Sequence, residues 1–292
     1  MTTLSSAAAP YAGAADREPL AVSRREARGL VEPGAALALE GVNLSFGGVA
    51  ALRDVNLAFV DGAITSVIGP NGAGKTSLIN VISGVYTPDS GLILINGRAY
   101  KRSPTTRLAS LGVARTFQNL GLFKGLSTFD NVALGLSFAA RATILEQVFG
   151  FGRARSERAD VVRRTEEALE LLRLEPYRDR FVGALPYGVQ KRIELARAIV
   201  AEPHFLLLDE PLAGMTVDDK AEMSEFILSV RRRLGATVVL IEHDIGLVMS
   251  LSDRVAVFDY GRKIAEGAPE DVQANPAVID AYLGVPHSDE EA

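Results

Sequence analysis

The chain has 292 residues, 48% of them hydrophobic, enough to bury a substantial core as about two domains of ~150 residues or one large α/β unit. Its 31 basic and 36 acidic residues leave a net charge of −5, which argues against broad electrostatic binding of nucleic acid, and no nucleic-acid partner is expected. Having no cysteine, it carries no disulfide framework, thiol nucleophile or thiolate metal site.

In chain order, residues 1–36 are rich in Ala, Ser, Pro, Gly and charge and cannot bury enough apolar surface to offset ordering entropy, so they read as a flexible tail. The opening MTTLSSAAAPYAGAADREPL lacks the basic start and continuous apolar run of a signal peptide. No later stretch approaches the ~20 apolar residues of a spanning helix, so any membrane role is expected to come through a partner. A regular pattern starts at Leu37. LALEGVNLSF and VNLAFV read as strands joined by a Gly47-Gly48 turn region and a short connector. AITSVIG (63–69) is a strand running into a glycine-rich loop, and KTSLINVISG (75–84) opens a helix.

From about Asn119 to Ala184 the helical signal dominates, with Val161, Val162, Ala168, Leu169 and Leu172 near a helical repeat. IELARAIVA (193–201) is a further helix with Ile193, Ala196 and Val200 on one stripe. Two continuous apolar runs, Phe205–Leu208 and Thr237–Ile241, flank a helix at 219–234, the pattern of buried parallel strands alternating with helices. VAVFDYGRKIAEG (255–267) reads as strand, turn and strand.

The segment Gly69-Pro-Asn-Gly-Ala-Gly74-Lys75-Thr76 fits the phosphate-loop pattern G-x-x-x-x-G-K-S/T in full. Its glycines let backbone N–H groups approach phosphate oxygens without Cβ clashes. The helix that follows aims its free N–H groups and positive dipole end at the same anion. Lys75 brings an ammonium to the β- and γ-phosphates, and the Thr76 hydroxyl suits Mg²⁺. The expected nucleotide contacts are Gly69, Asn71, Gly72, Ala73, Gly74, Lys75, Thr76 and Ser77, with ATP and Mg²⁺ as the bound species. FLLLDEP (205–211) ends a strand with two acids: Asp209 suits the Mg²⁺ shell, and Glu210 suits a general base for the attacking water.

Further segments narrow the class. RTFQNLGLF holds Gln118, LPYGVQKRIELARA resembles a signature region, and VVLIEHD places His243 past a strand. In order and spacing these resemble the nucleotide-binding domain of an ABC transporter over roughly residues 37–286, leaving 287–292 as a C-terminal tail. The implied fold is an α/β P-loop NTPase: a RecA-like core, an antiparallel β-subdomain and a helical subdomain at about 119–190. FGGVAAL (46–52), ARTFQNLGLF (114–123), LPYG (185–188), IEHD (241–244) and ANPAVIDAYLG (274–284) look like the LivG-type ATPase of branched-chain amino-acid importers.

That resemblance implies that Phe46 stacks on adenine. Gln118 touches Mg²⁺ or the lytic water and reports nucleotide state to the membrane partner. His243 contacts the γ-phosphate. It implies a head-to-tail pair with a second cassette (LivF-like, or a second copy), two transmembrane permeases, and indirectly a solute-binding protein. The chain would then sit peripherally on the cytoplasmic face of the inner (plasma) membrane, powering uptake of branched-chain amino acids or a related small polar solute. The signature L-S-G-G-Q is replaced by Leu185, Pro186, Tyr187, Gly188 and Val189, which removes a serine hydroxyl and one backbone N–H. In such a pair these residues face the partner's ATP. Thr216 stands where the D-loop usually carries Asp. The stretch 138–155 suits either a permease-docking face or packing within the helical subdomain; a membrane-surface helix ranks lower. A lipopolysaccharide-type exporter ATPase and a soluble cassette acting on ribosomes or DNA are the competing readings; the long 135–165 insert, the AYLG ending and the single cassette favour the importer.

Overall fold

The computed structural model describes residues 35–116, 120–139 and 153–283. Gln118, most of 138–155, residues 1–34 and the expected C-terminal tail at 287–292 lie outside the described residues.

The first sheet is antiparallel, built from β1 (Ala35–Phe46), β2 (Val49–Val60), β4 (Ser90–Ile95) and β5 (Arg98–Tyr100) in the order β2-β1-β4-β5. Gly47 and Gly48 join β1 to β2 with φ of 55° and 87°, the left-handed pair that a two-residue hairpin turn demands. β2 therefore starts at Val49, and the segment expected as a connector before VNLAFV is strand. The second sheet holds β3 (Ile64–Ile68), β6 (Val113–Arg115), β7 (Phe205–Asp209), β8 (Thr237–Ile241), β9 (Arg254–Asp259) and β10 (Arg262–Gly267), ordered β10-β9-β3-β8-β7-β6. It is parallel except for β10, which pairs antiparallel with β9.

Every residue of β3, β7 and β8 is buried, because both faces of the parallel sheet are covered. Strand alternation splits the core in two. Leu206, Leu208, Val238 and Leu240 join the helices on one face, while Phe205, Leu207, Val239 and Ile241 join the antiparallel sheet and α1 (Lys75–Ile82) on the other. The helical side contains α2 (Thr128–Ala133), α3 (Arg153–Leu171), α4 (Tyr187–Ile199) and α5 (Val217–Leu234). Ala168, Leu169 and Leu172 are buried there and Val161 packs against them, whereas Val162 is 41% exposed and faces out. α6 (Ile245–Leu251), α7 (Pro269–Gln273) and α8 (Pro276–Leu283) complete the chain. This is the P-loop NTPase architecture, with its antiparallel and helical parts on opposite faces of one parallel sheet.

α5 shows how local sequence sets an element. Thr216 is its N-cap, its hydroxyl accepting from the Asp219 amide at 3.2 Å and donating to the Asp219 carboxylate at 2.8 Å. Asp218 and Asp219 lie in the first turn, Arg231, Arg232 and Arg233 in the last, matching the helix dipole. Gly235 closes the helix at φ 63°. Thr and Asp are both good N-caps, so the replacement in the D-loop keeps the helix start intact. Thr216→Ala is expected to cost about 1 kcal/mol in urea denaturation, and Thr216→Asp close to nothing; an unchanged midpoint for the alanine variant would contradict the cap.

Candidate functional site: a phosphate loop beside a carboxylate–imidazole pair

The parallel register aligns Val67, Ile241 and Asp209 in one row across β3, β8 and β7. One or two residues further on, at the carboxyl edge of the sheet, the chain reaches Gly69, His243 and Glu210. Ligands of open α/β sheets bind at this edge. A cavity of about 320 Å³ lies there, walled by Asn71 to Ser77 of the loop, by Glu210 and His243, and by Ala51 from β2. The sequence reading did not anticipate Ala51.

The loop's shape rests on glycine. Gly69, Gly72 and Gly74 have φ of 148°, 83° and 100°. A Cβ at Gly69 would lie 2.0 Å from the Phe258 carbonyl oxygen of β9, and one at Gly74 would lie 2.4 Å from the Ala51 oxygen. Lys75 is buried, and its ammonium donates to the Gly69 and Pro70 carbonyls at 2.6 and 2.8 Å. Burial lowers its pKa, and the Glu210 charge opposes that. Both acceptors belong to the loop, so the ammonium is tied to the backbone of the loop itself. Thr76 is exposed toward the cavity side of α1 and Ser77 is half-buried. In α8, burial raises the pKa of the Tyr282 hydroxyl and the Gly69 amide at the root of the loop opposes that, a link for which sequence reading gave no signal.

At the end of β7 Asp209 is 1% exposed and its Oδ2 accepts from Arg115 at 2.9 Å. Arg115 also reaches Asn80 and Ser83, both at 2.7 Å. Burial raises the Asp209 pKa, opposed by the Arg115 hydrogen bond and charge. Its Oδ1 is buried without a hydrogen-bond partner. An orphaned carboxylate oxygen costs about 1–3 kcal/mol, which fits a group whose remaining partner is a cation or its water. The buried Asp209 Oδ1 and the Thr76 hydroxyl are hard oxygen donors of the kind that Mg²⁺ takes alongside phosphate and water.

Glu210 has φ 51°, a left-handed conformation that costs a non-glycine residue about 1–2 kcal/mol. Its amide donates to the Ile241 carbonyl at 2.9 Å, and its Oε1 lies 2.7 Å from His243 Nε2. The strain sits where the carboxylate must be turned toward the cavity, the usual place for stored backbone strain.

Phe46 lies at the end of β1, 46% exposed, with Tyr86 edge-on at 4.9 Å; it is not among the cavity walls. Pro186, Tyr187, Gly188 and Val189 form the start of α4, with Pro186 as N-cap, and they do not wall this cavity either. A Cβ on Gly188 would lie 2.8 Å from the Asp219 carboxyl, and the Tyr187 hydroxyl donates to the Ala213 carbonyl at 3.2 Å. Signature and D-loop are thus packed together.

A glycine cradle at a helix start, beside a strand-end carboxylate pair on a parallel sheet, defines the P-loop ATPase class. Comparison with known proteins takes the assignment further. The family model described as ABC transporter matches residues 52–213, and that of the branched-chain amino acid ATP-binding cassette transporter matches 262–288. The chain is 38% identical over 248 residues to the high-affinity branched-chain amino acid transport ATP-binding protein BraF of Pseudomonas aeruginosa, covering 85% of this chain and 97% of that one. It is 38% identical over 251 residues to LivG of Escherichia coli, of the same description, with the same coverage of both chains. A nucleotide-free ATP-binding cassette from an ABC transporter superposes with TM-score 0.73 at 29% identity, over 85% of this chain and 98% of that one. A cassette in its ADP conformation gives 0.73 at 30%, over 86% and 99%. The chain belongs to the ABC transporter ATP-binding family, in its LivG type, and is an ATP-hydrolysing enzyme. Among the described residues no helix is long and apolar enough to cross a membrane.

Proposed function

We infer that this chain is one of two ATP-hydrolysing motors of an importer for branched-chain amino acids or a related small polar solute. The observation that carries the mechanism is the 2.7 Å contact between Glu210 and His243 at the rim of the phosphate-loop cavity. The loop amides of Gly69 and of Asn71 to Gly74 hold the phosphates, Lys75 moves from its carbonyls to the β- and γ-phosphates, and Ser77 supports the phosphate end. Thr76 and Asp209, with Gln118, would hold Mg²⁺, which when bound neutralises charge on the transferring phosphoryl group. Glu210 accepts a proton from water as the water oxygen bonds to the γ-phosphorus, and the bond from that phosphorus to the ADP oxygen breaks. His243 holds one carboxylate oxygen of Glu210, leaving the other to face the water, and contacts the γ-phosphate.

Phe46 stacks on adenine from the β1 end. Residues Pro186 to Val189 complete the ATP site of the other subunit: Gly188 and the free amides of α4 supply anion contacts where Pro186 removes a serine. The motor unit spans 37–286, with tails at 1–36 and 287–292 and a helical subdomain at about 119–190. It works at the cytoplasmic face of the plasma membrane, bound to two permeases beside a second cassette, either a LivF-like subunit or a second copy. A solute-binding protein supplies the cargo from the other side. The relatives' printed roles and their near full-length match favour this over an exporter or a ribosome-acting cassette. Affinity purification from its native host tests it: two permeases and a second cassette are expected with the chain. Recovery of ribosomes or nucleic acid in their place would overturn the importer reading.

A further inference from the structure

The residue between β8 and His243 is Glu242, a carboxylate only 5% exposed at the carboxyl edge of the sheet. Its Oε1 accepts from the Leu212 amide at 2.7 Å, and its Oε2 accepts from the His243 amide at 3.3 Å. Leu212 is two residues past Glu210 and opens the turn that runs through Gly214 to the cap of α5. One side chain thus spans the two segments whose tips carry Glu210 and His243. The neighbouring links close a ring: the Glu210 amide is bound to the Ile241 carbonyl at 2.9 Å, and the two side chains meet at 2.7 Å. Burial pushes the Glu242 carboxyl up, and its two backbone donors pull it back down. A buried carboxylate is costly, and an apolar residue would serve packing better unless the charge or its two acceptors are needed.

We propose that Glu242 is a positioning residue for hydrolysis, bridging the turn after Glu210 to the His243 backbone so that carboxylate and imidazole meet in one geometry. The proposal rests on the reading of Glu210 as base and His243 as its partner. Because Leu212 opens the turn that leads to the Thr216 cap, the same bridge ties any movement of that turn to the position of His243. Only a side chain with two acceptors can hold both amides. Glu242→Gln keeps the shape but presents an NH₂ group to one of the two N–H donors.

The test is steady-state ATPase of the full chain, alongside ATP affinity and the imidazole NMR signals of its three histidines. Glu242→Gln is expected to lower kcat about tenfold, with ATP Kd within twofold. The His243 signals should shift, while those of His204 and His287 stay in place. A kcat within twofold of wild type, a matching loss of ATP affinity, or unmoved His243 signals would overturn the proposal. If the glutamine variant does not fold, Glu242→Asp keeps the charge but cannot span both amides. It should show the same kcat-selective loss, and wild-type kcat there would overturn the bridge. Glu210→Gln run in parallel separates the failures: if it retains turnover, the underlying base assignment falls. If it collapses while Glu242→Gln does not, only the bridge falls.

Discussion

Glu210→Gln is expected to reduce ATP turnover by about 10²- to 10⁴-fold, the usual weight of a positioned general base. The substitution is isosteric and the amide still reaches His243 at the same 2.7 Å position in one orientation, so the cavity and its loop should survive. ATP affinity should therefore stay within a few fold, because the proposed phosphate contacts come from the loop amides and Lys75. What would be lost is the oxygen proposed to take the water proton. Each tenfold in rate is about 1.4 kcal/mol of barrier, so the loss falls on the chemical step alone. Stopped-flow nucleotide binding beside phosphate release separates the two, and wild-type-level turnover in this variant would remove Glu210 from the mechanism.

The second large effect is expected at Gly69. Its φ of 148° and the 2.0 Å approach of an added Cβ to the Phe258 carbonyl leave alanine nowhere to go. The obstructing atom is backbone of β9, which is paired to β3 in the middle of the sheet, so no rotamer change relieves it. Gly69→Ala should displace the loop entry or part β3 from β9, costing more than about 4 kcal/mol, and abolish ATP binding. Gly72→Ala is the control: φ is 83° but nothing lies within 4 Å of its Cβ, so only the left-handed strain of about 1–2 kcal/mol is expected. Urea denaturation of both variants checks the contrast; equal losses would mean that the Phe258 approach is not what holds the loop.

The parts of this site that a sequence reader can find are those whose shape is set by neighbours in the chain. The phosphate loop is legible because glycine spacing and the following helix define it within nine residues. Strands β7 and β8 are legible because burial on both faces makes them continuous apolar runs. Strands β5 and β6 were not anticipated: at three residues each they have no period to read, and β6 exists through its pairing with β7, some ninety residues away. The start of α4 at residues 187–192 lay outside the helix expected at 193–201, because Pro186 and Gly188 in the signature stretch interrupt the helical pattern. Proline in fact serves as the cap, and the Asp219 carboxyl fills the space that a Cβ on Gly188 would need. α6 was missed for a related reason: Gly246 lies in its first turn, and its start is set by the Asp244 cap on the Leu247 amide at 3.3 Å.

Arg115 and Glu242 were overlooked for the same cause as the short strands. Each gains its role from a partner distant in sequence, Asp209 for one and Leu212 for the other. Acid or base character alone marks neither. Phe46 shows the opposite limit. It is exposed and meets Tyr86 edge-on, and its proposed tie to adenine comes from the family resemblance and not from the cavity walls.

The central claim is that the cradle, the Asp209 oxygen and the Glu210–His243 pair make a metal-dependent ATPase. Phosphate release by the purified wild-type chain, supplied with ATP and Mg²⁺ and then with excess chelator, tests it most directly, alone and with its permease complex. Turnover that stops on chelation and rises with the complex is the expected result. An absence of hydrolysis in both settings, or hydrolysis indifferent to metal removal, would contradict it.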